Sequence, residues 1–126
     1  KALTDEWEKR GVKEGLEFAI LTDEITKAWT GITTKEYKKL KSLKKENLRD
    51  NMTNLELVLN MLAETATTEI SEKREPKNLV ENKTVAREGG GVAGNARKDI
   101  ESKTGKKVIT SKNTKMLRGR NIKELG

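Results

Sequence analysis

The segment TNLELVLNMLAETATTEI, residues 53–70, constrains the fold of this chain more than any other. Thr53 and Glu56 have the spacing of a capping box, in which each side chain bonds the backbone N–H of the other residue. Apolar residues then recur at three- and four-residue steps, as in an amphipathic helix. The stripe consists of Leu55, Val58, Leu59, Leu62, Ala66 and Ile70, with Leu57 and Met61 widening it toward a second face. A helix with two apolar faces belongs at the centre of a bundle, so we expect an all-α fold around it.

Shorter helices are predicted before this segment. Thr4, followed by two acidic residues, has the character of an N-cap, and Thr33 with Glu36 forms a second capping-box pair. Gly31 is placed to end the helix that precedes Thr33. The apolar residues of that preceding helix are Phe18, Leu21, Ile25 and Trp29. We therefore expect a small helical bundle over residues 1–72.

The core of this bundle must be small. Only 33% of the 126 residues are hydrophobic and 3% are aromatic, whereas 37% are charged. A modest core of this kind is often completed by another copy of the chain, so we expect a homodimer. The polar composition around Pro76 predicts a connection over residues 73–80, because proline forbids continuation of the helix.

Glycines 89, 91 and 94 spell G-x-G-x-x-G, the spacing of a dinucleotide-binding loop. That site requires a buried strand before the first glycine, and the preceding ENKTVARE is charged and helix-forming. The Gly-Lys-Ser/Thr ending of a phosphate-binding P-loop is also missing. We therefore do not expect nucleotide binding or any other cofactor.

A glycine-containing helix over residues 81–105 explains the same segment better. Its face would contain Val85, Gly89, Val92, Ala96 and Ile100, and Gly105 is placed to end it. Glycines at 89, 90, 91 and 94 would destabilise an isolated helix by about 4 kcal/mol in total, so tertiary contacts must offset them. Two interpretations remain: Gly89, Gly90 and Gly94 allow close packing on another helix, or the chain bends at a flexible hinge.

The net charge of +7 is unevenly distributed along the chain. Residues 1–96 carry 17 basic and 17 acidic side chains, whereas residues 97–126 carry 10 and 3. We expect residues 106–126 to form a basic tail, and deletion of 112–126 to leave the fold intact. Such clusters can contact phosphates or an acidic partner. The candidate binding residues are Lys38, Lys41, Lys44, Lys45, Arg49, Arg97, Lys98, Lys106 and Lys107.

Catalysis is not expected from this composition. The chain has no cysteine and no histidine, which removes the thiol nucleophile, the usual general base and the commonest metal ligands. We expect neither an enzyme nor a metal site. With no long apolar run and no basic-then-apolar leader, the expected location is the cytoplasm, without membrane contact. The chain begins at Lys1, which suggests a fragment of a longer protein.

Several segments, in order, resemble the C-terminal region of the DNA-damage-inducible protein D family and the related BRO-type prophage antirepressors. The resemblance covers residues 18–111. Its segments are FAI (18–20), WTG (29–31), LKKENLRDNMTNLEL (43–57), TATTEI (65–70), AREGG (86–90) and VAGNARKDIESKTGKKV (92–108). None of these segments is a catalytic motif, and KNTKMLRGRNIKELG (112–126) lies outside the resemblance.

The resemblance implies a bacterial or prophage regulator that acts by binding. Members of this group carry a BRO-type domain ahead of this region, and their regulatory partners are a recombinase of the DNA-damage response or a phage repressor. The first functional hypothesis is therefore a regulatory protein-interaction domain. The alternative is a DNA-binding module that contacts phosphates through the basic residues without sequence specificity.

Overall fold

The computed structural model describes residues 2–113, which fold into five α-helices and one short 3₁₀ turn. No β-strand occurs in this range, so the predicted all-α helical bundle is confirmed. None of the helices in residues 2–113 is both long and apolar enough to cross a bilayer. The helices are α1 (Ala2–Lys9), α2 (Leu16–Thr30), α3 (Thr34–Leu40), α4 (Asn54–Arg74) and α5 (Leu79–Thr104), and the 3₁₀ turn is Arg49–Asn51.

Local capping signals determine where most helices begin and end. The predicted capping boxes of α3 and α4 are both present, with Thr33 paired to Glu36 and Thr53 paired to Glu56. Gly31 ends α2 in the left-handed conformation, with φ of 86°, as expected. The predicted N-cap at Thr4 is wrong, because α1 begins at Ala2 and Thr4 lies inside its first turn.

The connection between α4 and α5 is a tight turn over residues 75–78. Glu75 adopts a left-handed conformation after the last residue of α4, and buried Pro76 follows it. Asn78 then caps α5 by accepting a hydrogen bond from the Glu81 backbone N–H at 2.9 Å. Both helices thus extend into the 73–80 segment that the sequence assigned to a linker. Most of the predicted basic tail, residues 114–126, lies outside the described residues.

The centre of the bundle consists of α2, α4 and α5, with α5 packed against both of the other helices. Helix α1 packs on α4, and α3 packs on α2. Trp29 is fully buried in this core, and its indole N–H donates to the Asn60 side chain at 3.2 Å. The Tyr37 ring meets it edge-on, with ring centroids 6.2 Å apart. The few aromatic residues are thereby concentrated where the helices meet.

Three glycines of α5 lie where neighbouring backbones leave no room for a side chain. A Cβ at Gly90 would lie 2.6 Å from the Ala28 Cβ, and one at Gly94 would lie 2.6 Å from the Ala28 carbonyl oxygen, both on α2. A Cβ at Gly89 would lie 2.6 Å from the Thr67 Cα on α4. Helix α5 runs unbroken through this segment. The glycines therefore serve close packing within the chain, and no hinge divides the helix.

Close packing by α5 also decides which side of α4 faces the core. The buried residues of α4 are Glu56, Leu59, Ala63, Thr67, Thr68 and Ser71, most of them small. The predicted inward stripe is wrong for Leu55, Val58 and Leu62, which are exposed. Gly89 of α5 brings the two backbones together at Thr67, where only a small side chain fits between them. Leu55, Val58 and Leu62 point to solvent, whereas Leu59 is buried.

Candidate partner-binding surface

The N-terminal half of α4 presents four large apolar side chains to solvent. Their exposed fractions are 40% for Leu55, 61% for Val58, 47% for Met61 and 38% for Leu62. Three- and four-residue steps place them on one side of the helix, within about two turns. Isolated exposed apolar residues are ordinary on any protein, but a contiguous patch marks a contact surface. We call these four residues the α4 face.

An open groove with a volume of about 1020 Å³ lies beside the α4 face. Its walls come from α1, α2, α3, α4 and the segment 45–52, and Met61 belongs to both the groove and the α4 face. Threonines from several helices supply much of the remaining lining. The apolar lining residues are Leu3, Trp7, Ile25, Leu48, Met52 and Met61. We call this cavity the α1–α4 groove.

Charged residues line both ends of the α1–α4 groove. Lys38, Lys45 and Arg49 line the end formed by α3 and the segment 45–52. Glu69 and Glu72 line the other end, at the C-terminal half of α4, where α1 packs. Glu46 and Glu64 also line the groove, and Glu64 pairs with Arg49 at 2.7 Å, so the basic charge beside the segment 45–52 is largely offset.

Glu56 holds both ends of the loop that carries the basic residues. One of its oxygens accepts the Lys41 ammonium at 2.5 Å and the Thr53 backbone N–H at 3.0 Å, and the other accepts the Tyr37 hydroxyl. Lys41 and Thr53 are the first and last residues of this loop. A single buried carboxylate thus fixes the two ends of the loop that carries Lys44, Lys45 and Arg49.

Burial keeps the Tyr37 phenol protonated in this network. Desolvation, with a further contribution from the Glu56 carboxylate, raises the pKa of Tyr37 far above its usual range. The phenol therefore stays protonated and donates its hydrogen bond to Glu56. An ion pair removed from water needs such additional hydrogen bonds, because Coulombic attraction alone does not compensate for desolvation. The network is a structural anchor for the loop.

The chain after α5 returns across the bundle to this anchor. The Lys112 carbonyl oxygen accepts a hydrogen bond from the Lys41 ammonium, and the Asn113 side chain donates to the Lys41 carbonyl oxygen at 2.8 Å. Earlier in the segment, Glu101 accepts the Val108 backbone N–H at 3.0 Å. We call residues 106–113 the C-terminal strap. Lys112 and Asn113 therefore belong to the folded domain, so deletion of residues 112–126, which was expected to leave the fold intact, would remove two contacts of Lys41.

Lys41 is not a surface binding residue, which corrects the sequence prediction. Its side chain has no exposure to solvent, and all the contacts described for its ammonium group lie within the protein. Arg97 is likewise committed to the fold. Its guanidinium donates to the Trp29 carbonyl oxygen at 2.7 Å and to Glu101 at 2.8 Å.

The other candidate basic residues lie at the surface in two places. Lys38, Lys45 and Arg49 share the α1–α4 groove, and Lys44 is exposed on the same loop. Arg49 is paired with Glu64 at 2.7 Å, which partly neutralises that end. Lys98, Lys106 and Lys107 are exposed around the C-terminal end of α5. The structure thus places the candidate residues from 38 to 49 in one region of the surface and those from 98 to 107 in another.

Sequence reasoning identified the residues of the α4 face but assigned them to the core. Periodicity shows that Leu55, Val58 and Leu62 share one side of a helix, but it does not show what covers that side. The close-packing glycines of α5 were the available signal, because they require small residues opposite them. In α4 the residue opposite one of them, Gly89, is Thr67.

Within residues 2–113, no group of three or more Asp and Glu side chains lies close enough to hold a metal ion. Searches of known protein families, curated proteins and solved structures find no match for this chain. The family resemblance of residues 18–111 therefore stays a prediction from the sequence.

Proposed function

We propose that this domain is a regulatory protein-interaction module without catalytic activity, and that the α4 face is its binding surface. The observation that carries the proposal is the placement of four large apolar side chains on two exposed turns of α4. Because these side chains are 38–61% exposed, their complete burial in a partner would stabilise the complex by about 1 kcal/mol each before the entropy of association is subtracted.

The burial pattern of α4 supports this proposal, because large apolar side chains are exposed although the domain has few of them. Its α4 buries Thr67, Ser71 and Glu56 while exposing Leu55 and Val58. Close packing against α5 accounts for the small buried residues, but it does not require large apolar side chains on the exposed side. The exposed leucines and valine are consistent with selection for contact with a second molecule.

The resemblance of residues 18–111 supplies the classes of partner to test, a recombinase of the DNA-damage response or a phage repressor. A second copy of the chain is the remaining protein partner, and the proposed homodimer would form through the same face. DNA binding through Lys44, Lys45, Lys98, Lys106 and Lys107 is the alternative function. Because Lys41 is buried and Arg97 makes internal contacts, fewer residues are available to bind phosphates than the sequence predicted.

Two valines allow a matched test of the proposal. Val58 is 61% exposed on the α4 face, and Val80 is 72% exposed on α5. We expect Val58→Asp to weaken binding to a purified recombinase or repressor, or self-association by sedimentation, at least about tenfold. Val80→Asp should have no such effect. Equal effects of the two changes would contradict the proposal.

A salt series with duplex DNA tests the alternative function. If DNA is the principal ligand, affinity falls steeply between low and moderate salt, and Lys44→Gln with Lys45→Gln reduces the slope. The protein-interaction proposal predicts that Val58→Asp removes partner binding while this double variant leaves most of it in place. The reverse pattern would favour DNA binding.

A further inference from the structure

We propose that the C-terminal strap regulates the α4 face: the docked strap holds the first turn of α4 in place, and release of the strap weakens partner binding. This inference rests on the proposed interaction function and concerns the regulation of the same surface. It depends on a continuous series of hydrogen bonds from residues 112 and 113 to the start of α4, and on the position of the α4 face beside that start.

The hydrogen bonds run from the strap to α4 through one lysine. The Asn113 side chain donates to the Lys41 carbonyl oxygen at 2.8 Å, and the Lys41 ammonium donates to the Lys112 carbonyl oxygen. The same ammonium lies 2.5 Å from a carboxylate oxygen of Glu56, the third residue of α4. That oxygen also accepts the Thr53 backbone N–H at 3.0 Å. Lys41 therefore contacts the strap and the capping box of α4 at the same time.

This capping box determines how firmly the first turn of α4 is held. The first N–H groups of a helix have no partner within the helix, so side-chain caps satisfy them. In α4 the Thr53 hydroxyl accepts the Glu56 backbone N–H at 3.3 Å, and the Glu56 carboxylate accepts the Thr53 backbone N–H in return. Movement of the carboxylate away from this position breaks the reciprocal pair, and the first turn then frays.

The α4 face begins inside that turn. Leu55 immediately precedes Glu56, and Val58 follows it by two residues. A partner that buries both apolar side chains needs them at fixed helical positions, and ordering a frayed turn on binding costs affinity. The docked strap therefore preorganises this part of the α4 face for its partner.

Burial makes the strap contact important for the ion pair. The side chains of Lys41 and Glu56 have no exposure to solvent, and a lysine ammonium has three N–H donors to satisfy. A buried ion pair is favourable only where further hydrogen bonds compensate for the loss of water. Release of the strap removes the Lys112 acceptor and admits water to the ammonium, and the higher local dielectric weakens its attraction to Glu56.

The strap is suited to reversible docking. Residues 106–113 form neither helix nor strand, so no regular series of backbone hydrogen bonds holds them. Val108 is the buried apolar side chain of the strap, Ile109 is partly buried, and the Val108 backbone N–H donates to Glu101 at 3.0 Å. Segments with few buried apolar contacts open at a lower free energy than the core of a domain. The strap thus has a docked and a released state.

Hydrogen exchange of the intact chain tests the coupling without a partner. Asn113→Ala removes the donor to Lys41, and Ser111→Ala, at an exposed position of the strap, is the matched control. We expect Asn113→Ala to speed exchange of the Leu57 and Val58 amides at least about tenfold, with little change over residues 67–71 of the same helix. Unchanged rates, equal acceleration along α4, or the same acceleration in the control would overturn the inference.

The coupling can also be tested from the other end, because coupling between two sites is reciprocal. Thr53→Ala removes half of the α4 capping box and should speed exchange of the Val108 amide in the strap. Asn78→Ala removes the cap of α5 and should leave the Val108 amide unchanged. Equal rates for Val108 in the two variants would contradict the coupling, and this comparison decides the question if Asn113→Ala does not fold.

Partner binding separates failure of this inference from failure of the proposed function. We expect Asn113→Ala to weaken binding to a purified recombinase or repressor, or self-association, by about tenfold, and Ser111→Ala to leave it unchanged. If Val58→Asp removes binding and Asn113→Ala leaves it intact, the regulation is wrong and the interaction function stands. If Val58→Asp has no effect on binding, the interaction function and its regulation are both wrong.

Discussion

The Lys41 ammonium lies 2.5 Å from a Glu56 carboxylate oxygen, and neither side chain is exposed to solvent. This pair joins the end of α3 to the first turn of α4, and it closes the loop that carries the basic residues of the α1–α4 groove. The lysine that the sequence grouped with its surface neighbours is instead the internal anchor of that group.

Replacing this lysine tests the anchor. Lys41→Met removes one partner of a buried ion pair and leaves the Glu56 charge uncompensated, so we expect a loss of about 3–5 kcal/mol in the free energy of unfolding. Lys44→Met, at an exposed position of the same loop, should change stability by less than about 0.5 kcal/mol. Urea denaturation of the two variants gives the comparison, and similar losses in both would contradict the burial of Lys41.

The C-terminal strap gives a second prediction. Ending the chain after Thr110 removes the acceptor that Lys112 offers to Lys41 and the donor that Asn113 offers to the Lys41 carbonyl. We expect a loss of about 1–3 kcal/mol, because a buried charged group loses one partner. A chain ending after Asn113 keeps both contacts and serves as the control. Identical denaturation curves for the two truncations would show that residues 111–113 contribute nothing to stability.

Alanine substitutions at the glycines of α5 should change the stability of the domain in opposite directions. Gly90→Ala and Gly94→Ala should each destabilise the domain by about 1–3 kcal/mol, because the new methyl group meets α2. A Cβ at Gly91 meets nothing within 4 Å, so Gly91→Ala should instead stabilise the helix by about 1 kcal/mol. Thermal melts monitored by circular dichroism measure all three. Destabilisation by Gly91→Ala, or tolerance of Ala at position 90, would contradict the packing.

Acid should destabilise the domain in part through Glu101. The hydrogen bond from the Val108 backbone N–H, opposed by burial and assisted by Arg97, holds the pKa of Glu101 below its usual range. A carboxyl group with a lowered pKa in the folded state contributes stability above its unfolded pKa and loses it as pH falls through the folded value. Glu101→Gln should therefore flatten the decline in stability below about pH 5. Parallel pH profiles for the wild type and the variant would show that Glu101 does not contribute to the loss of stability in acid.

Local signals in the sequence predicted the helices well, because they act over a single turn. The Thr33–Glu36 and Thr53–Glu56 pairs cap the helices they were expected to cap, and Gly31 ends α2. Each signal needs only residues within a few positions along the chain. Thr4 failed because a threonine followed by acidic residues is also compatible with the inside of a first turn.

Non-local packing explains what the sequence did not predict. The contacts of Lys41 come from Glu56, 15 residues away, and from Lys112, 71 residues away. No local pattern separates it from neighbouring lysines such as Lys39. The exposed side of α4 was misassigned for the same reason, because its orientation depends on where α5 packs.

The central claim is that the α4 face contacts a partner protein, and site-specific photo-crosslinking tests it most directly. A photoreactive amino acid is placed at Val58 in one variant and at Val80 in another, and bacterial cells expressing each are irradiated after DNA damage. We predict a discrete adduct from position 58, with a recombinase, a repressor or a second copy of this chain, and none from position 80. Equal adducts from both positions, or none from position 58, would contradict the claim.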